Sequence, residues 1–294
     1  MPQTESTLLQ LDRPVASDVK AASSWLSWVF LAAVIIVIYG PILVDLASDW
    51  WNLPDTSYGM LVPPLAGYIA WKRKRLTLSF PAAPSLTGLL WIAGACLTLL
   101  IGRLGAEFFL SRISIVILLT GLVYTFWGKE RLRTLVFPLL LLATMVPLPV
   151  IVFNQLAAPL QLFASQVSTR VAQFFGVSVF QDGNIIQLAT TTLGVEEACS
   201  GLRSLSALMV MALLLGFLLC ERPLTRVILL AMALPIAVFV NVARVSGTAI
   251  MADYNPQLAM GFYHTFSGWL VFLLGIALVF ATSRLLRNIL EPSL

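Results

Sequence analysis

Long apolar runs separated by short basic segments constrain this chain more than any other feature. A helix rises 1.5 Å per residue and the hydrocarbon layer of a bilayer is about 30 Å thick, so crossing it takes about 20 mostly apolar residues. Candidate runs are 25–47, 57–71, 85–103, 106–127, 134–153, 200–220, 227–248 and 263–283. Lipid offers no hydrogen bonds, so each spanning run must satisfy its own backbone and folds as a helix. The expectation is an all-α polytopic membrane protein with about eight transmembrane helices. The run 57–71 is short and holds Pro63 and Pro64, so it is read as tilted, broken or partly re-entrant.

The charges orient these runs. Cytoplasmic loops are rich in Lys and Arg. With the N-terminus inside, the inner segments hold Arg13 and Lys20, Lys72–Arg75, Lys129, Arg131 and Arg133, Arg222 and Arg226, and Arg284 and Arg287. Only Arg103, Arg112, Arg170, Arg203 and Arg244 of the 18 basic residues fall in spans or outside. Both termini are therefore expected in the cytoplasm. The organisation reads as a polar tail at 1–24, a membrane domain at 25–285 and a short tail at 286–294. The first run is longer than the roughly 7–15 residues of a signal-peptide core, so it reads as a retained helix.

Composition excludes other classes. With 59% hydrophobic and 11% charged residues, the chain lies far from soluble domains, which run at about 25% charged. Its basic residues form clusters between apolar runs rather than a stripe with interleaved aromatics, so no nucleic-acid partner is expected. Three cysteines do not make a disulfide framework.

Residues 154–195 form the one long outer segment. Apolar side chains recur at Leu156, Leu160, Phe163, Val167, Val171 and Phe174, the spacing of an amphipathic helix lying on the outer membrane surface or against the bundle. Asp182-Gly183 then separates two β-prone runs in VSVFQDGNIIQL, the pattern of a small hairpin. Helix and hairpin are expected to form a periplasmic cap.

Three polar residues fall at one outer depth. Cys199 opens the run 200–220 in VEEACSGLRSL, Arg244 lies near the outer end of 227–248 in NVARVSG, and His264 opens 263–283 in GFYHTFSGW. A thiol, an imidazole and a guanidinium are the groups needed for acyl transfer through a thioester. A helix start favours thiolate through its dipole. Glu196 and Glu197 oppose that unless they face away or pair with an arginine such as Arg203. Asn241 shares a helix face with Arg244 and could orient it or bind substrate. Gly268, one turn after His264, would admit a neighbouring helix or substrate. Each residue also has a plainer reading. Cys199 can be a small helix residue, as Cys96 and Cys220 are read. His264 can be a packing residue, and Arg244 can reach the headgroups with its charge. Arg112 can pair structurally with Glu107.

EACSGLRSL, NVARVSG and HTFSGW, in this order and each at an outer helix end, resemble the motifs of the exosortase family, bacterial inner-membrane enzymes related to archaeosortases. Weaker echoes are FPLLLLATMVPLP at 137–149, APLQLFAS at 158–165 and DGNIIQL at 182–188. The resemblance implies Cys199 as nucleophile, His264 as general acid and base, and Arg244 as transition-state stabiliser, with neither metal nor cofactor. It implies membrane-anchored secreted substrates bearing a C-terminal sorting signal of the PEP-CTERM type: a Pro-containing motif, a membrane helix and a basic tail. The new carboxyl end would pass to an acceptor, lipid- or polysaccharide-linked, in bacteria that make exopolysaccharide. Tyr58 stands where the family often has histidine, so no proton carrier is available there. A hydrolytic protease with the same residues is the near alternative. A transporter or polysaccharide-assembly component is the distant one, disfavoured because transporters place polar groups near the midplane between repeated halves.

Overall fold

The computed structural model describes residues 15–189, 191–194, 201–255 and 261–291, and within them the side chains of 15–24, 54, 150, 156–157, 201–204 and 261–265 are left aside. In chain order these residues form α1 (Val15–Asn52), a 3₁₀ segment (Pro54–Leu61), α2 (Val62–Lys72), α3 (Lys74–Ser79), α4 (Gly88–Leu104), α5 (Phe108–Ala143) and α6 (Val150–Phe174). Three strands follow, β1 (Val179–Asp182), β2 (Ile185–Leu188) and β3 (Thr192–Gly194), then α7 (Gly201–Leu219), α8 (Pro223–Tyr254) and α9 (Gly261–Leu290). Two compact units divide the chain, one ending at Ser48 and one comprising Asp49–Leu294.

Among the described residues four helices are long and apolar enough to cross a membrane: Trp25–Asn52, Phe108–Ala143, Pro223–Tyr254 and Phe266–Leu290. Gly88–Leu104 and Leu205–Leu219 are shorter apolar helices. The protein is thus a mostly helical membrane protein. The expected run 57–71 is broken: α2 has 11 residues, about 16 Å of helix, too short to cross alone. Pro54 opens the preceding 3₁₀ turn, and Pro63 and Pro64 sit in the first turn of α2, where a missing N–H costs nothing.

The expected runs 106–127 and 134–153 meet at a sharp kink inside α5. Gly128 has φ +83° and ψ 177°, a conformation open to glycine. The strap before α4 explains it. Ala83 N–H donates to the Trp127 carbonyl and Ser85 N–H to that of Thr125, and a Cβ on Gly128 would strike the Ala83 carbonyl oxygen. The second half of α5 stops at Ala143, ten residues before the expected end at 153. Pro147 and Pro149 supply no N–H and push the residues before them out of helical conformation.

α4 and the first half of α5 form an antiparallel hairpin with backbones in close approach. A Cβ on Gly102 would lie 2.6 Å from Ser111 N, and one on Gly121 would lie 2.9 Å from Ile92 N. Glu107 caps α5 by accepting from the Phe109 N–H at 3.2 Å. Arg112 does not pair with this glutamate, contrary to the sequence reading. Its guanidinium lies 2.6 Å from Asp49 instead.

α6 also departs from expectation. It begins at Val150 rather than near Leu156, and it does not bury its large apolar face. Ala164, Ser165, Ser168, Thr169 and Ala172 are buried, while Phe163 and Phe174 are 53% and 87% exposed. The small face packs on α8, and Ser168 Oγ donates to the Val242 carbonyl at 3.3 Å. In lipid, large apolar side chains gain little from burial against protein, whereas small ones let helices approach.

The hairpin is present with its turn shifted by one residue. Asp182 pairs with Ile185, so the loop is Gly183-Asn184, with Gly183 at φ +61° as a two-residue turn opening on glycine requires. β3 is an addition the sequence reading lacked; it pairs antiparallel to β2. Val179, Ile186, Leu188 and Leu193 point to one face of the sheet and pack on Ala172 of α6 and on Val245, Ala249 and Ala252 of α8. The helix and sheet are therefore fastened to the end of α8 that carries Arg244.

Candidate active site

α7, α8 and α9 pack on one another around Leu208 and Ala212 of α7, Leu229, Ala233 and Ala237 of α8, and Val279 of α9. α8 starts at Pro223, well suited to a first helical position. Just before it, the Glu221 and Arg222 N–H groups donate to the Glu291 carboxylate at 3.1 and 2.8 Å. The three helices also carry, in sequence, the three candidate motifs.

Arg244 is half-buried on α8. Its guanidinium lies against α9 at Gly268, where a Cβ would sit 3.5 Å from both Cζ and Nη2. The sequence reading had Gly268 admit a neighbouring helix or substrate; what lies against it is the Arg244 side chain. His264 falls in the first turn of α9, four residues before Gly268. The guanidinium is therefore seated one turn along α9 from the histidine.

Asn241 lies one turn back along α8 from Arg244. Its Oδ1 is buried with no hydrogen-bond partner among the described residues, and so are the hydroxyls of Ser165 and Thr169 on α6. Buried polar atoms are normally satisfied, and among the described residues these three are not. The sequence reading missed Ser165 and Thr169 because it followed the large apolar residues of α6. The clue was the close of APLQLFAS and the small residues spaced three and four beyond it.

Tyr58, in the 3₁₀ segment, forms a side-chain hydrogen bond with Ser206 of α7. Ser206 is seven residues along the chain from Cys199, so this segment braces the helix that follows the cysteine in sequence. Gly59 next to it closes on the Trp50 ring, and Trp50 Nε1 donates to the Met145 carbonyl at 3.1 Å.

Cys199, Glu196 and Glu197 lie outside the described residues, as do the side chains of Arg203 and His264. Of the sequence-derived set, the structure brings together Arg244 and Gly268, and places Asn241 beside them on α8. Among the described residues no cluster of His, Cys, Asp and Glu could hold a metal ion.

Fold and site define a class: a polytopic helical membrane protein with an arginine held at the contact of two packed helices. A model of the transmembrane exosortase family matches residues 50–281, most of the chain, and the protein belongs to that family. No curated protein and no solved structure matches it. Family membership implies a general role in processing sorting signals.

Proposed function

We propose that this protein is a cysteine transpeptidase of the bacterial inner membrane, with both termini in the cytoplasm and the site at the periplasmic face. The observation that carries the reading is the Arg244 guanidinium seated on Gly268, one turn along α9 from His264. A cation there is costly in a membrane and functional by default.

In this mechanism the Cys199 thiolate attacks the carbonyl carbon of the scissile peptide bond. Negative charge develops on the carbonyl oxygen, and Arg244 stabilises it. Collapse breaks the C–N bond, His264 protonates the departing amine, and a thioester on Cys199 remains. His264 then removes a proton from the acceptor nucleophile, whose attack on the thioester releases the thiolate. Asn241 Oδ1 is a buried acceptor suited to a substrate N–H. Arg203 and Glu197 are assigned as supporting residues that tune the charge around Cys199.

The substrates are secreted proteins with a Pro-containing motif, a membrane helix and a basic tail, and the acceptor is lipid- or polysaccharide-linked. The cap of α6 and β1–β3 limits water at the site and so favours transfer over hydrolysis.

The test is mass spectrometry of a co-expressed substrate carrying such a tail. The wild type should yield a product cleaved near the outer end of its helix with added mass at the new C-terminus. Cys199→Ala should yield none while still inserting, and Cys96→Ala and Cys220→Ala should behave as wild type. Normal processing by Cys199→Ala would overturn the reading. A bare carboxylate as sole product would make the enzyme a protease. Reporter fusions after Arg75, Arg133 and Arg226 should report cytoplasm, and fusions within 176–195 periplasm.

A further inference from the structure

At the end of the helices opposite the cap, four elements converge on one aromatic ring. Phe217 of α7 stacks on Phe137 of α5, with centroids 3.5 Å apart and planes within 5°. Arg73, between α2 and α3, places Cζ 4.4 Å from the Phe217 centroid. Arg226 of α8 places Cζ 5.4 Å from the same centroid. Phe137 fills one face of Phe217 at a distance that excludes either guanidinium. Both cations thus lie against a single ring, within 5.4 Å of its centroid.

Such a pair is self-repelling. Burial, and then the Arg226 charge, hold the Arg73 pKa below its ordinary value. Among the described residues no carboxylate forms a salt bridge with either guanidinium. The salt bridges among the described residues are Arg112–Asp49 and Arg133–Glu130, and Glu291 is engaged by the N–H groups of Glu221 and Arg222. Each guanidinium spends one N–H on a carbonyl: Arg73 Nη1 on Thr134 and Arg226 Nε on Cys220, both at 3.0 Å. A guanidinium has five donors, so most remain. Two ring-braced forks with donors to spare and a shared excess charge fit an anion with several oxygens, and phosphate is the group arginine pairs bind in bidentate fashion. Lys72, Lys74, Arg75, Lys129 and Arg131 belong to the segments around them and deepen the positive potential. Basic pockets between helices at the cytoplasmic side are where anionic headgroups bind.

We propose that Arg73 and Arg226, braced on Phe217, form a phosphate-binding site at the basic end of the helix bundle. The phosphate has two sources, the headgroup of an inner-leaflet anionic phospholipid and free inorganic phosphate. The site is separate from the acyl-transfer site and does not depend on that chemistry.

The experiment measures thermal unfolding of the full-length protein in a non-ionic, phosphate-free detergent. Phosphatidylglycerol, inorganic phosphate and diacylglycerol are titrated in separate arms. The wild type should gain several degrees with phosphatidylglycerol and nothing with diacylglycerol. A gain of the same size from inorganic phosphate at matched concentration would assign the site to the free ion. Arg73→Gln and Arg226→Gln should each need at least ten-fold more phosphatidylglycerol for the same gain, while Arg133→Gln, exposed and paired with Glu130, should match wild type. Should either glutamine variant fail to fold, Arg226→Lys keeps the charge without the fork, and native mass spectrometry should count fewer retained phosphatidylglycerol molecules on it. Undiminished gains and retained lipid in these variants, or an equal gain with diacylglycerol, would overturn the proposal.

Discussion

The α4–α5 hairpin and the α8–α9 pair both rest on glycines at a helix contact, and they use them in opposite ways. In α4–α5 the missing side chain is filled by the partner's backbone: Gly102 faces Ser111 N and Gly121 faces Ile92 N, each closer than a Cβ allows. In α8–α9 the space at Gly268 is filled by the Arg244 guanidinium at ordinary contact distance. Glycine in the first pair lets helices close, which stabilises them through packing. Glycine in the second lets a cation lie between helices, one turn along α9 from His264. The same residue type therefore builds a scaffold in one region and a seat for a charged group in the other.

Replacing the seated group should have the largest effect. Losing a single oxyanion-stabilising donor costs about 10²–10³ in rate, so Arg244→Ala should lose at least that much in processing with little change in membrane accumulation. Arg244→Lys should recover little, because an ammonium lacks the planar fork. Near-full activity of the lysine variant would reduce Arg244 to a diffuse charge and erase the contrast between the two pairs.

Glycine substitutions sharpen the contrast next. Gly268→Ala adds a Cβ at 3.5 Å from the guanidinium and should leave activity within a few-fold of wild type. Gly268→Leu must displace Arg244 and should resemble Arg244→Ala in activity while the protein still folds. Gly121→Ala places a Cβ 2.8 Å from Ile92 Cγ1, and such overpacking costs about 1–3 kcal/mol. It should lower the melting temperature and spare the activity of the folded fraction. Equal thermal loss from Gly268→Ala and Gly121→Ala would show the two contacts to be of one kind.

The smallest effect belongs to the base of the α8–α9 pair. Burial alone would raise the Glu291 pKa, but the N–H groups of Arg222 and Glu221, with the Arg222 charge, bring it below its ordinary value. A carboxyl whose folded pKa is depressed contributes stability that is present above its unfolded value, about 4.3, and is lost as pH falls through the folded pKa. At neutral pH, Glu291→Gln should melt about 2–4 °C below wild type, and the gap should close below about pH 4. A gap independent of pH would assign the effect to shape rather than charge.

Much of this was legible along the chain. Apolar run length marked a helical membrane protein, because a bilayer imposes one length scale on every crossing segment. Among the described residues four helices are long and apolar enough to cross, against about eight expected. The order of EACSGLRSL, NVARVSG and HTFSGW pointed to the exosortase family, which the match over residues 50–281 establishes. The Asp182-Gly183 punctuation located the hairpin to within one residue. Periodicity at α6 left open whether the apolar face meets lipid or protein, and the structure shows that the small residues Ala164, Ser165, Ser168, Thr169 and Ala172 are the buried ones. Periodicity recorded where apolar side chains lie, not which face meets protein, and in lipid those two questions have separate answers.

The sequence alone determined that the chain is a helical membrane protein, where its basic segments fall and which polar residues are candidates for chemistry. Those are properties of composition and order, set by what each segment can satisfy by itself. Only the tertiary structure decided that Arg112 meets Asp49 rather than Glu107, that Gly128 kinks α5 beneath the 80–87 strap, and that Arg244 rests on Gly268. Partner choice depends on which helices are adjacent, and adjacency between segments distant in the chain is written in packing, not in any local pattern.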